Sequence, residues 1–188
     1  MTCIVGIAMN GHVIMGGDSA GISGLDLTVR SDEKVFRRGP FLMGFTSSFR
    51  MGQLLRYKLE VPEHPKGMAD LEYMTILFVD SVRECLESGG WKKKKDEREE
   101  GGTFLVGYNG QVYEVHDDFQ LAWPVNGYSA CGCGAQVALG AIYGIQFAGY
   151  GPRAMVQVAL EAAEEFNAGV RGPFVILSSE EDEVGVAK

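Results

Sequence analysis

The chain has 188 residues, of which 46% are hydrophobic and 22% charged, and a formal net charge of −8. That length suits a single domain over 1–188 whose core needs no disulfide or metal, and no apolar run approaches the roughly 20 residues of a membrane-spanning helix. The acidic balance speaks against nucleic acid, whose binding needs a basic face; without a basic start, an apolar run and a cleavage site, a cytoplasmic protein is expected.

Strand signals begin at once. TCIVGIAM, the dipeptide Asn10-Gly11 and HVIMGGD form two apolar runs around a tight turn, a hairpin signature. GISG after Asp18 reads as a turn, and the polar stretch 26–33 as a connection. Gly39-Pro40 then separates strands at about 34–37 and 41–46. From Ser48 the period becomes helical: Met51, Leu54, Leu55 and Lys58 predict a helix over 48–59, ended by Pro62 and Pro65. A second helix is expected over 68–86, closed by Gly89 and Gly90.

KKKKDEREE, within 91–102, mixes signs and reads as a solvated loop whose opposing charges cancel within about a Debye length. TFLVGY, Asn109-Gly110 and QVYEV repeat the hairpin signature, and FQLAW reads as the next strand. Two more apolar-faced helices follow in GCGAQVALGAIYGIQF and PRAMVQVALEAAEEF, the latter with Pro152 in its first turn. PFVILS reads as a last strand before the acidic tail SSEEDEVGVAK. The order is four strands, two helices, three strands, two helices and one strand. Strands in hairpin blocks and helices in pairs predict an α+β fold, a four-layer α-β-β-α sandwich of two antiparallel sheets.

Several site chemistries find no support. GGDSAGISG lacks the lysine and hydroxyl of a phosphate loop, and no Ser-His-Asp set has a nucleophile-elbow context. His12, His64 and His116 have no ligand spacing, C-G-C at Cys131 and Cys133 is not a zinc pattern, and Cys3 and Cys85 sit in apolar contexts that suit reduced thiols. The N-terminus is more informative. If Met1 is removed, Thr2 carries a hydroxyl and a free α-amine, whose reference pKa of about 7.7–8.0 suits a general base at neutral pH. The first hairpin returns Asp18 to the side of Thr2, and Lys34 opens the following strand. A lysine there depresses the pKa of the amine, and the carboxylate holds the lysine.

These residues resemble the proteasome β subunits and their HslV-type relatives, the N-terminal nucleophile hydrolases. TCIVGI resembles the family's opening strand, GGDSAGISG its G-D-S-x-A-x-x-G turn, Lys34-Val35 its K-V strand, GPFLMGFTSS its strand into a turn and helix, and YSACGCGAQVALGAIYG its G-S-G-x-x-A segment. The resemblance runs from Thr2 to about Leu177 and implies the N-terminal nucleophile hydrolase fold. It implies Thr2 as nucleophile, Asp18 and Lys34 as the charged pair and the backbone N–H of Ser48 as oxyanion donor. Cys133 stands where the family has serine, and Asn167 and Val170 where it tends to have an aspartate and a serine around the α-amine. The pocket for the residue before the cut is expected from Asp32, Phe36, Thr46 and Arg50, with Arg50 paired to Asp32 so that a small neutral pocket remains.

The implied activity is a threonine endopeptidase that cleaves unfolded polypeptide inside homo-oligomeric stacked rings, with helices 48–59 and 68–86 at the interfaces. An ATP-dependent unfoldase is a candidate partner, and no cofactor or metal is expected. Two alternatives stay open: a weak or inactive scaffold of the same fold, and an amidase acting on a small amide.

Overall fold

Most strands of this protein are apolar on both faces because each sheet is covered twice, once by the other sheet and once by helices. The computed structural model describes residues 1–95 and 98–180. Strands β1 (Ile4–Met9) and β2 (His12–Gly17) form the first hairpin, and β3 (Ala20–Ser23) and β4 (Asp26–Val29) a short second one. Next come β5 (Val35–Arg38), β6 (Phe41–Phe45) and helix α1 (Phe49–Tyr57). Helix α2 (Asp70–Tyr73) runs through a π-helical stretch, Met74–Phe78, into α3 (Val79–Ser88). After β7 (Lys93–Lys95) and β8 (Arg98–Glu100) come β9 (Phe104–Tyr108), β10 (Gln111–Val115), β11 (Leu121–Ala122) and β12 (Tyr128–Cys131). Helices α4 (Ala135–Ile145) and α5 (Pro152–Phe166) precede β13 (Val175–Ser178).

Two antiparallel sheets result, ordered β12-β1-β2-β13 and β11-β10-β9-β6-β5. Ile4, Val13, Met15, Val35, Leu42, Leu105, Val112 and Cys131 fill the space between them. Because alternate residues of a strand face opposite ways, Cys3, Val5 and Ile7 of the first strand run turn outward onto Ala138, Ile142, Val156 and Leu160 of α4 and α5. On the far side Phe36, Phe41, Met43, Phe104 and Val106 pack against Met51, Leu55, Phe78 and Val82 of the first helices. The order of layers is α-β-β-α, as expected. Asn10 and Gly11, and Asn109 and Gly110, all have positive φ, which the two tight hairpin turns require.

Three expectations are corrected. The stretch 26–33 is not only a connection, since Asp26–Val29 pairs with Ala20–Ser23. The charged segment is a hairpin, Lys93–Lys95 on Arg98–Glu100, and not a loop. Tyr128–Cys131, to which the sequence assigns no element before the helix from Gly132, is a strand because it completes the open edge of β1 in register Ile4 to Cys131. Among the described residues no helix is long and apolar enough to cross a membrane. The acidic tail beyond Glu180 lies outside the described residues.

Candidate active site

The site forms where three chain segments meet at the start of β1. Just past the end of β2, Asp18 lies beside the residue that begins β1, and its N–H donates to the carbonyl of Cys3 at 3.3 Å. The Asp18 carboxylate is buried and fully partnered. Its Oδ1 accepts from Cys3 N–H at 3.0 Å and from Lys34 Nζ at 2.8 Å, and its Oδ2 accepts from Ala20 N–H at 2.9 Å and Arg171 N–H at 3.4 Å. Lys34 precedes β5, with its own carbonyl taking Phe45 N–H at 3.1 Å. Its Nζ reaches Thr2 Oγ1 at 3.1 Å.

Thr2, Asp18 and Lys34 are only 5%, 1% and 2% exposed. A buried ammonium persists only where a carboxylate and hydrogen bonds replace its water, and Asp18 supplies them. Burial still pulls the pKa of Lys34 below the usual lysine range, and the charge of Asp18 and its hydrogen bond oppose that shift. An ammonium of weakened proton affinity, aimed at a threonine hydroxyl, stabilises negative charge as it develops on that oxygen.

Thr2 is held from its other side by the turn that leads into α4. Its N–H donates to Cys133 Sγ at 3.2 Å, and its carbonyl accepts from Gly134 N–H at 3.3 Å and from the Cys133 thiol at 3.4 Å. The turn can come this close because Gly132 has φ 97 and no side chain; a Cβ there would lie 2.2 Å from the Thr2 carbonyl oxygen. Asn167 fixes the turn in place, donating from Nδ2 to the Cys133 carbonyl at 2.9 Å while its Oδ1 accepts from Gly169 N–H at 2.8 Å. It therefore acts on Cys133, and Cys133 acts on Thr2. Val170 is fully buried among apolar residues. The Thr2 hydroxyl donates to the carbonyl of Met1.

Ser48 lines the cavity beside Thr2, but its N–H donates to the Thr46 carbonyl at 2.7 Å across a tight turn with Ser47 at φ 64. Its hydroxyl caps α1 by accepting from Arg50 N–H at 3.0 Å. Sequence reasoning missed the backbone of Arg171, whose N–H on Asp18 has no side-chain signature.

No family model and no curated protein matches the sequence. Solved structures do. BPH from Thiobacillus denitrificans superposes with a TM-score of 0.80 at 18% identity, covering 94% of this chain and 97% of its own. The same protein in complex with epoxomicin gives 0.78 and 17% over the same shares. HslV from Trypanosoma brucei gives 0.66 at 16% identity, covering 94% and 98%, and Anbu, an ancestral β-subunit from Yersinia bercovieri, 0.65 at 13%, covering 94% and 81%. The chain has the HslV-type, proteasome-like fold.

Within the proteasome-like fold the expected pocket is only partly assembled. A cavity of about 90 Å³ opens beside Thr2, lined by Met1, Ile22, Lys34, Phe45, Thr46, Ser47, Ser48 and Phe49. Thr46 is there; Asp32, Phe36 and Arg50 are not part of its lining. Phe36 is buried in the core, facing Phe45 and the helices. The expected pairing of Arg50 with Asp32 is wrong: Asp32 takes a two-pronged contact from Arg30, with both N–O distances 2.6 Å, and Arg50 reaches the Gly89 carbonyl at 3.4 Å. The expectation failed because Arg30 stands two residues from Asp32, where a planar guanidinium meets both carboxylate oxygens. A stacked aromatic also holds that guanidinium, with Arg30 Cζ 3.7 Å from the Phe49 ring centroid. Phe49, Ile22 and Arg30 were not singled out from the sequence; an aromatic at the first position of α1 was the available signal.

Proposed function

We propose that this chain is a threonine peptidase in which Thr2 is the nucleophile once Met1 has been removed. The observation that carries the reading is the buried line Asp18–Lys34–Thr2, whose ammonium is aimed at the hydroxyl of the second residue of the chain. The proteasome-like fold of BPH, HslV and Anbu supports it.

In this reading the Thr2 hydroxyl attacks an amide carbonyl of the substrate and gives its proton to the free α-amine. Lys34 stabilises the developing charge on Oγ1 and keeps the amine basic, while Asp18 keeps Lys34 charged and in place. The carbonyl oxygen becomes the oxyanion, which the Ser48 N–H reaches by giving up its contact with Thr46. Collapse breaks the C–N bond, the leaving amine takes the proton from the α-ammonium, and an ester remains on Thr2. Water then gives a proton to the same amine, adds to the ester carbonyl, and the acid product leaves as the hydroxyl regains its proton. Cys133 and Asn167 orient the amine through the turn that holds Thr2.

Copies of the chain assemble into stacked rings that enclose these sites, and unfolded polypeptide delivered by an ATP-dependent unfoldase is the substrate. The reading is tested by intact mass and peptide cleavage together. Loss of one methionine, cleavage by wild type and none by Thr2→Ala support it, whereas cleavage by protein that fully retains Met1 places the nucleophile elsewhere. A second reading, a scaffold of the same fold, is favoured by the Ser48 N–H being engaged with Thr46. Retained Met1 with no cleavage, and no adduct from a threonine-directed electrophile, selects it.

A further inference from the structure

The cavity beside Thr2 has a neighbour. A second cavity of about 230 Å³ is lined by Gly21, Ile22, Ser23, Asp26, Thr28, Arg30 and Phe49 along the β3–β4 hairpin. Ile22 and Phe49 line both cavities and so form the partition between them. Ile22 is fixed by its strand. Phe49 is only half-buried, at the first position of α1, and on its own its ring would be free to turn.

Three contacts hold the ring. The Arg30 guanidinium lies 3.7 Å from its centroid, the ring of Phe45 meets it edge-on at 5.8 Å and 80°, and Lys34 Nζ stands 5.7 Å from its centroid. Arg30 is itself oriented. Asp32 grips its guanidinium with two contacts of 2.6 Å, and its stem crosses Gly21 so closely that a Cβ there would lie 2.6 Å from Arg30 Cδ. A planar cation locked by a carboxylate is a rigid cover for an aromatic face.

We propose that Phe49, clamped by Arg30 and Asp32, is the specificity-determining wall of the site, and that it restricts the residue before the cleaved bond to small aliphatic side chains such as alanine and valine. This rests on the threonine-peptidase reading and adds the class of substrate. Met1, which also lines the cavity, is absent from the mature chain of that reading, and what then bounds the space toward the larger cavity beyond is Phe49 with Ile22. It is selective against charge because its side-chain lining is largely apolar or hydroxyl-bearing, with Lys34 committed to Asp18 and Thr2. Phe49 touches the substrate side chain, while Arg30 and Asp32 are positioning residues that act through it.

The experiment uses the full-length protein and a set of fluorogenic peptide amides that differ only in the residue before the cut: alanine, valine, leucine, phenylalanine and tryptophan. Wild type is expected to favour valine over phenylalanine in kcat/KM by about tenfold or more, the scale on which an apolar pocket rejects surplus volume. Phe49→Ala joins the two cavities and is expected to raise the phenylalanine-to-valine ratio by about tenfold. Asp32→Asn, which loosens Arg30 without removing volume, moves the ratio the same way by a smaller factor and keeps the inference testable if Phe49→Ala does not fold. A merely structural role for either residue lowers all five peptides together and leaves the ratio unchanged, which overturns the inference. So does a wild type that cuts the bulky peptides as fast as the small ones. Cleavage of none of the five by mature wild type overturns the peptidase reading itself, and this inference with it.

Discussion

At Thr2, a hydroxyl has a lysine cation on one side and the turn at Cys133 on the other, so substitutions there separate chemistry from structure. Under the proposed function Thr2→Ala removes the attacking oxygen and is expected to reduce peptide cleavage to background without changing assembly, while Thr2→Ser keeps hydroxyl and amine and retains part of the activity. Asp18→Asn is a different case. It leaves the Lys34 ammonium buried without its counter-charge, and breaking a buried pair of this kind costs about 3–5 kcal/mol. For a protein of this size that lowers Tm by on the order of 10 °C, so Asp18→Asn should lose both activity and stability. Cys133→Ser keeps a donor and acceptor opposite the Thr2 N–H and carbonyl. Steady-state assays should find it active, and Cys133→Val, which keeps neither, markedly slower.

At the level of elements, two hairpins were read from sequence as polar connections, and both are tied down by charge. The β7–β8 hairpin is fastened to α3 through Glu99, which receives Arg83 at 2.8 Å and Lys92 at 2.8 Å, while Lys92 also meets Glu87 at 2.7 Å. These groups are near water, so their effect on global stability is small and falls with salt. Their effect is local. Glu99→Gln should leave Tm nearly unchanged while quickening limited proteolysis within 91–102, and high salt should do the same to wild type. The β3–β4 hairpin is held instead by backbone, Arg30 N–H on the Ser19 carbonyl at 2.9 Å, and by the grip of Arg30 on Asp32. That hairpin carries Leu25, Leu27 and Val29 into solvent.

For the whole molecule, pH response is set by what the core holds in neutral form. Burial pushes the thiol of Cys3 up to about 12 and raises those of Cys85 and Cys131. It pushes the phenol of Tyr73 up to about 12 as well and raises those of Tyr108 and Tyr113. Each of these groups keeps its proton in the folded state after the unfolded chain has lost it. Their stabilisation is therefore complete below pH 9, the ordinary thiol value, and is lost as pH climbs toward 12. Lys34 acts oppositely, because its lowered pKa makes stability rise with pH below 10.5, the ordinary lysine value. Three thiols and three phenols outweigh one ammonium, so thermal melts between pH 8 and about 11.5 should show a steep net fall. Assembly belongs to the same scale. Helix α4 and the turn after it, 135–151, contain no charged residue in a chain of net charge −8, and they expose Tyr143, Phe147 and Tyr150. Like-charged copies can approach where charge is absent. If the proposed rings form through that face as well as through the helices 48–59 and 68–86 expected from the sequence, Phe147→Glu should shift sedimentation toward smaller species.

The sequence by itself determined the layers and the catalytic candidates. Two Asn-Gly turns between apolar runs dictate two hairpins, paired helices with one apolar face dictate the outer layers, and a strand beginning next to Thr2 dictates that Asp18 returns to it, because hairpin register is local. What depends on distant partners was not legible. Tyr128–Cys131 is a strand only because β1 has an edge to fill, and the missed Arg171 backbone N–H meets Asp18 only once the chain beyond α5 folds back. The resemblance implies a pocket from Asp32, Phe36, Thr46 and Arg50 with Arg50 on Asp32, yet a cation pairs with whichever carboxylate its stem can reach in the folded chain, and Arg30 reaches Asp32 first. Local rules fix which residues can react; only the tertiary structure decides which walls enclose them, because walls are made by side chains that meet across elements and carry no signal in the order of the sequence.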